Sequence, residues 1–510
     1  MNKILARLLP VALLVGFVTG AGLDDDLIKD FKKYFRKYKD PAQRREAVLA
    51  LDGIDSPAMV DVLVPVLEDP DPQVTQAVVR VLGSLEERAA IDHLLVELAE
   101  EKKEPRRLGL LRCIQEGAYE GKGEAVGACL EDRSWKVRHQ AVQTLAAGGD
   151  DTLGPILLPF CEDPEVAVRC AAFDALGGLG VDGVRAPAVA ALEDEAWQVR
   201  SSAITALGRV RHRDSLPVLI DRMAQEEGRL VADIGSALDA ITGKELGTRL
   251  DSWQRFWASF GDSYQIPTDE ELAELRKKQE ERKLQYGAAK GDVAYHGIET
   301  PSRRVMFVID ISGSMENEVV ERERFEDGDY PSYSRMDIVK TELQRTIENL
   351  EDYVEFNILA FATEVKPWKK KLVKANVLNK SNAIDWVGRL EPLGGASRQD
   401  LARVGLTGSA NLEAGKTNTW SALSAALEIE DKNGKPVQRY ELDLDTVFFL
   451  SDGKPTVGRY IDINEILRGV LTANVLRRVV IHAIAIGQFD KTFMRRLAQE
   501  NSGVFVDLGK

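Results

Sequence analysis

The chain has 510 residues, 29% of them charged, with 82 acidic against 67 basic side chains and a formal net charge of −15. That length exceeds one ordinary core and predicts two or three. The acidic balance excludes non-specific binding to nucleic acid or anionic lipid and favours cations or basic partners.

Residues 1–20 stand apart: Lys3 and Arg7, an apolar run from Leu8 to Val18, then small residues through Gly22 ahead of Asp24-Asp25-Asp26. This is the layout of a secretory signal peptide, with Val18 and Gly20 as the small residues before a cut. Pro10 and the shortness of the run disfavour a stable span, so cleavage is expected over an uncleaved membrane anchor. The bulk of the chain is therefore expected to be exported, to a periplasm, cell surface or medium. Export permits disulfides, yet Cys113, Cys129, Cys161 and Cys170 lie in helical patterns without C-x-x-C spacing. They read as buried small hydrophobes, with a Cys113–Cys129 or Cys161–Cys170 bridge as the lesser alternative.

From 23 to 243 the sequence repeats. Leu51, Leu82, Ile114, Leu145, Leu176, Leu207 and Leu238 follow one another at steps of 31 residues, with a single step of 32. Around them recur Asp132-x4-Val137-Arg138, Asp163-x4-Val168-Arg169 and Asp194-x4-Val199-Arg200, each leading into an alanine-rich amphipathic helix. Such a period, with two helical stretches per unit, predicts an α-solenoid of about seven repeats whose helix pairs bury their apolar faces by stacking. The pattern resembles the short HEAT-like repeats. That resemblance implies a ladder in which Asp132/Arg138, Asp163/Arg169 and Asp194/Arg200 link successive repeats structurally. Glu104-Pro105-Arg106-Arg107 departs from it and leaves the helix boundaries of its unit open. Trp135 and Trp197 sit two repeats apart at equivalent positions and read as packing residues. Some HEAT-like proteins are bilin lyases or their accessories, but nothing beyond the repeats points there, and such arrays mainly offer extended protein-binding surfaces.

Residues 244–300 read as a connector. Ser252-Trp253-Gln254-Arg255-Phe256-Trp257 is an aromatic helix suited to covering the end of the array, and Thr268 starts a charged, solvated helix running to about Gln285.

From 301 to 510 strands and helices alternate, which predicts a doubly wound α/β sheet. Val305 to Ile309 is a continuous apolar run, the mark of a strand covered on both faces, and Asp310-Ile311-Ser312-Gly313-Ser314 follows it. Ligands of open α/β sheets bind at that carboxyl end, and one carboxylate with two hydroxyls makes a hard-oxygen set suited to Mg²⁺ or a similar ion. Gly415-Lys416-Thr417-Asn418 and Leu450-Ser451-Asp452-Gly453 supply further oxygens from two other loops.

These three pieces, in this order, resemble the von Willebrand factor type A domain over residues 301–510. The resemblance implies a metal-ion-dependent adhesion site: Ser312, Ser314 and Thr417 as hydroxyl ligands, and Asp310 and Asp452 as carboxylates, direct or through water. The ion is expected to be Mg²⁺, with Mn²⁺ or Ca²⁺ as alternatives, and its open position is expected to take an Asp or Glu carboxylate from a protein ligand. Lys416 stands where the family often has glycine, and the acidic stretch Glu316–Tyr333, with Glu316 and Glu318 at its start, is expected to form a recognition rim with Gly394–Ala414.

The function expected is thus exported, metal-dependent protein binding without turnover. One alternative is a structural scaffold whose ion only stabilises. Another is a nucleotide-binding enzyme built on Ala410-x4-Gly415-Lys416-Thr417, where Ala410 replaces the first glycine of a phosphate loop and Glu413 puts negative charge into it. The five histidines are scattered, and His482 in a predicted core strand reads as a packed residue rather than a base.

Overall fold

A computed structural model describes residues 21–261, 263–286, 294–295, 298–299, 302–393, 415–431, 434–435, 437, 442–452, 454–487 and 490–508. The expected signal segment, the Gly394–Ala414 rim and Gly453 lie outside them. The chain falls into two compact units, Met1–Gly183 and Val184–Lys510.

In the first unit the helices begin where local chemistry dictates. Asp40, Ser56 and Asp71 each accept a hydrogen bond from a first-turn N–H, and each is followed by proline at the first helical position. The repeat positions Leu51, Leu82, Ile114, Leu145 and Leu176 are all buried. Helix Glu104–Gly117 settles the irregular third unit: Pro105 sits in its first turn and Arg107 takes the ladder position, pairing with Asp132. The ladder runs forward. Arg44 holds Asp69 through Nε and Nη2 at 2.8 and 2.9 Å, and Arg138 holds Asp163 at 2.8 and 2.8 Å. Asp132 and Arg138 meet through the backbone, where Arg138 Nη1 donates to Asp132 O at 2.9 Å. All four cysteines are buried free thiols.

The second unit opens with helices Arg185–Ala190, Trp197–Val210, Ser215–Met223 and Arg229–Thr242, in which Leu207 and Leu238 are again buried. Helix Leu250–Phe260 packs on Ser215–Met223 and buries Trp253 completely, its indole Nε1 donating to Gly247 O at 2.9 Å. Helix Asp269–Tyr286 starts in a reciprocal cap. Glu271 N donates to Thr268 Oγ1 at 3.3 Å and Thr268 N donates to Glu271 Oε2 at 2.9 Å. The solvated spacer expected here needs one correction: Leu272 is buried beside Gly243, and Arg211 pairs with Asp269, so its first turn is anchored.

After a short antiparallel pair, β1 (Ala294–Tyr295) with β2 (Ile298–Glu299), comes the main sheet: β3 (Arg304–Asp310), β4 (Glu355–Phe361), β5 (Val365–Pro367), β6 (Val373–Lys374), β7 (Thr446–Ser451), β8 (Val480–Ala485) and β9 (Phe505–Asp507). Its order is β5-β4-β3-β7-β8-β9, with β3, β4, β7, β8 and β9 parallel and β5 and β6 antiparallel to β4. Phe307, Phe356, Ile358 and Phe448 face helices Arg335–Asn349 and Val377–Gly388. Val308, Leu359, Phe361, Val447 and Phe449 face helices Thr419–Ala426, Ile463–Arg477 and Lys491–Gln499. Both faces are covered, which is why the central strands read as unbroken apolar runs. His482 packs as expected: it stacks on Phe448, its Nδ1 accepts from Val504 N at 3.1 Å, and burial pushes its pKa down to about 4.

Candidate metal centre

β3 sits between β4 and β7: the chain leaves β3 for β4 on one side and later crosses back to β7 on the other. This is the switch point at which an open parallel sheet leaves a crevice beyond its carboxyl ends. Asp310 closes β3 and is fully buried. Its Oδ1 accepts from Ser312 N at 2.8 Å and its Oδ2 from Ser451 Oγ, at the end of β7, at 2.6 Å.

Two residues on, the chain turns through Gly313–Glu316 and places Ser312 Oγ 3.1 Å from Ser314 Oγ. Ser314 Oγ donates to Asp452 Oδ1 at 2.8 Å. Four of the five expected metal ligands thus form one bonded cluster. Thr417 arrives at the same end by another route: Asn418 N donates to Ala362 O just past β4, and Thr417 N and O bond Thr456 at 2.9 Å each. Among the described residues no hydrogen bond joins Thr417 to the carboxylates.

Electrostatics set the site's character. Burial first, then the charge of Asp452, holds the Asp310 carboxyl above its ordinary range, against hydrogen bonds from Ser451 and Ser312 that lower it. Burial raises Asp452 too, opposed chiefly by Arg335, whose Nη1 stands 2.6 Å from Asp452 Oδ2. Two buried carboxylates against one guanidinium leave a net negative charge among hard oxygens. Adjacent oxygens of an octahedron of ~2.1 Å radius stand about 3.0 Å apart, which is the geometry Mg²⁺ demands. The 3.1 Å between the serine hydroxyls matches it. The residues present fit a divalent cation.

Sequence reasoning missed three participants. Ser451 stands in the sequence only as part of a motif, and no motif marks Thr456 or Arg335. The signal available for Arg335 was its cation immediately after an N-cap serine, where a helix prefers acids.

The residues of the expected rim take different settings. Glu316 lies half-buried in the Gly313–Glu316 turn, and Glu318 is exposed and paired with Arg322. The stretch to Tyr333 is packed rather than merely solvated: Val319 and Phe325 are buried and Val319 N bonds Tyr333 O at 2.9 Å. Lys416 is half-buried, its N–H donating to Thr363 Oγ1 at 3.3 Å.

Comparison with known proteins agrees with this architecture. The family model for HEAT repeats matches residues 28–115, 123–187 and 154–239, and that for the von Willebrand factor type A domain matches 328–507. The chain is 26% identical to inter-alpha-trypsin inhibitor heavy chain H4 of Homo sapiens over 213 residues, 41% of this chain and 19% of that protein. It is 27% identical to heavy chain H1 of Mesocricetus auratus over 203 residues, 40% and 18% respectively. The chain therefore spans less than a fifth of the length of these relatives. Among solved structures, an aerotolerance-related membrane protein of Bacteroides fragilis aligns over 40% of this chain and 90% of its own at 12% identity, with a TM-score of 0.26. Repeats, sheet and family models together make this chain a von Willebrand factor type A domain protein with N-terminal HEAT repeats.

Proposed function

We propose that the protein is an exported binding protein whose von Willebrand factor type A domain captures a protein ligand through a divalent cation, Mg²⁺ by the chemistry of its donors. One observation carries the reading: the buried Asp310, Ser312 and Asp452 and the half-buried Ser314 converge in a single cluster with an excess of negative charge at the switch point of the sheet. Ser312, Ser314 and Thr417 would offer hydroxyls, and Asp310 and Asp452 charge. Mg²⁺ keeps part of its octahedron for outside oxygens, so an Asp or Glu of the partner completes the set. The curated relatives, by name heavy chains of an inhibitor, support a role in protein association. Glu316, Glu318 and Lys416 stand at the rim as partner contacts, and the repeat array supplies a second surface.

The test is capture of partners from the exported fraction by wild type and Asp310→Ala, each with and without chelator. Capture that is lost in both treatments supports coordination. Capture that survives both leaves a scaffold whose ion, if any, only stabilises.

A further inference from the structure

Arg335 is unexplained by the fold. It is the first residue of helix Arg335–Asn349, after the N-cap Ser334 whose side chain accepts from Asp337 N. A cation there opposes the helix dipole, so helix formation does not account for it. Nor does solvation: the residue is 7% exposed, and its buried Nε has no hydrogen-bond partner among the described residues.

What the guanidinium does is face the cluster. Nη1 stands 2.6 Å from Asp452 Oδ2 and 3.4 Å from Ser314 O. The slot is built from a second element as well. Gly487, just past β8, has φ +89, and a Cβ there would collide with Arg335 Nε and Cζ. Asp452 is left with Oδ2 on the guanidinium and Oδ1 toward Ser314 Oγ.

We propose that Arg335 is a built-in counter-ion that competes with the divalent cation for Asp452, so that the site exchanges guanidinium pairing for metal. The inference rests on the metal-binding reading above. Because the charge of Asp452 is already compensated, the free domain binds the ion weakly. With the ion in place, two carboxylates and one guanidinium leave a net positive charge, which a carboxylate from the partner neutralises. Ion and partner therefore raise each other's affinity, as linkage requires.

The experiment is calorimetric titration of Mn²⁺ into the full chain, comparing wild type with Arg335→Gln and Arg335→Lys, with thermal melts in EDTA and in saturating Mn²⁺. Arg335→Gln is expected to bind Mn²⁺ about tenfold tighter or more, since even a fraction of the repulsion between a guanidinium and a nearby ion is worth that much. It should melt below wild type in EDTA and recover in Mn²⁺, while Arg335→Lys keeps its affinity within about threefold of wild type. If Arg335→Gln fails to fold, Arg335→Met, which keeps the length of the side chain without its charge, should likewise tighten Mn²⁺ binding. Unchanged or weaker Mn²⁺ binding in the neutral variants, with wild type binding measurably, overturns the counter-ion role alone. Flat isotherms in wild type and in the neutral variants alike overturn the metal reading, and this inference with it.

Discussion

Asp310→Asn separates the cost of the site from its use. The substitution keeps shape and hydrogen bonding: the amide oxygen still accepts from Ser312 N, now at 2.8 Å, and the amide NH₂ faces Ser451 Oγ, now 2.6 Å from Oδ2, which turns to accept. What disappears is one of two buried carboxylates. Arg335 compensates Asp452 directly, so the charge on Asp310 is the uncompensated one. An unneutralised buried charge costs several kcal/mol, part of which is recovered by proton uptake and by the two donors, leaving about 1–3 kcal/mol for the variant to gain without metal. At about 2–4 °C per kcal/mol for a domain of this size, Asp310→Asn should melt roughly 2–12 °C above wild type in EDTA. In Mg²⁺ the order should reverse, because wild type gains about 4.1 kcal/mol at a thousandfold excess over Kd and the variant gains little. Scanning calorimetry in the two buffers reads both arms. A variant that melts lower than wild type in EDTA, or a wild type indifferent to Mg²⁺, refutes the reasoning.

Trp253→Ala should destabilise the second unit by about 3–5 kcal/mol, the range for deleting a fully buried aromatic, and chemical denaturation followed by fluorescence measures it. Asp163→Ala strands Arg138, whose Nε and Nη2 both rest on that carboxylate at 2.8 Å; a loss of about 2–3 kcal/mol in the first unit is expected, and one below 0.5 would demote the ladder to decoration. His482 is held neutral by burial with its pKa pushed down to about 4, below its unfolded value near 6.5. The unfolded chain therefore takes up the proton first, and stability present above pH 6.5 is lost as pH falls toward 4, by about 2–3 kcal/mol; melts of His482→Phe across that window should show a shallower slope. Native protein should leave all four cysteines unmodified by a maleimide, and denaturation without reductant should expose four thiols; fewer would mean disulfides.

Much of this molecule is legible along the chain. The 31-residue steps of Ile114, Leu145, Leu176, Leu207 and Leu238 predict the array, because a stacked helix pair must present an apolar side chain at the same place in every repeat. Val305–Ile309 announces a doubly covered strand, and Asp310, Ser312 and Ser314 are near neighbours whose shared loop needs no tertiary information to be recognised. Contacts between distant segments are different in kind. Ser451 and Asp452 come to Asp310 and Ser314 because β7 pairs with β3 in parallel register, Ile309 opposite Leu450, across more than a hundred residues of intervening chain. Thr456 is recruited by a loop, and the packed side of the acidic rim depends on where Val319 and Phe325 find cover.

Sequence alone determined the two architectures and pointed to the oxygen donors of the proposed site, since periodicity and short motifs are local properties of a chain. Only the tertiary structure decided the site's charge. Arg335 is distant from Asp452 in sequence and reaches it because one helix begins where one strand ends, and Gly487 makes room for it. Charge compensation depends on distance in space, and no pattern of residues along the chain records that distance.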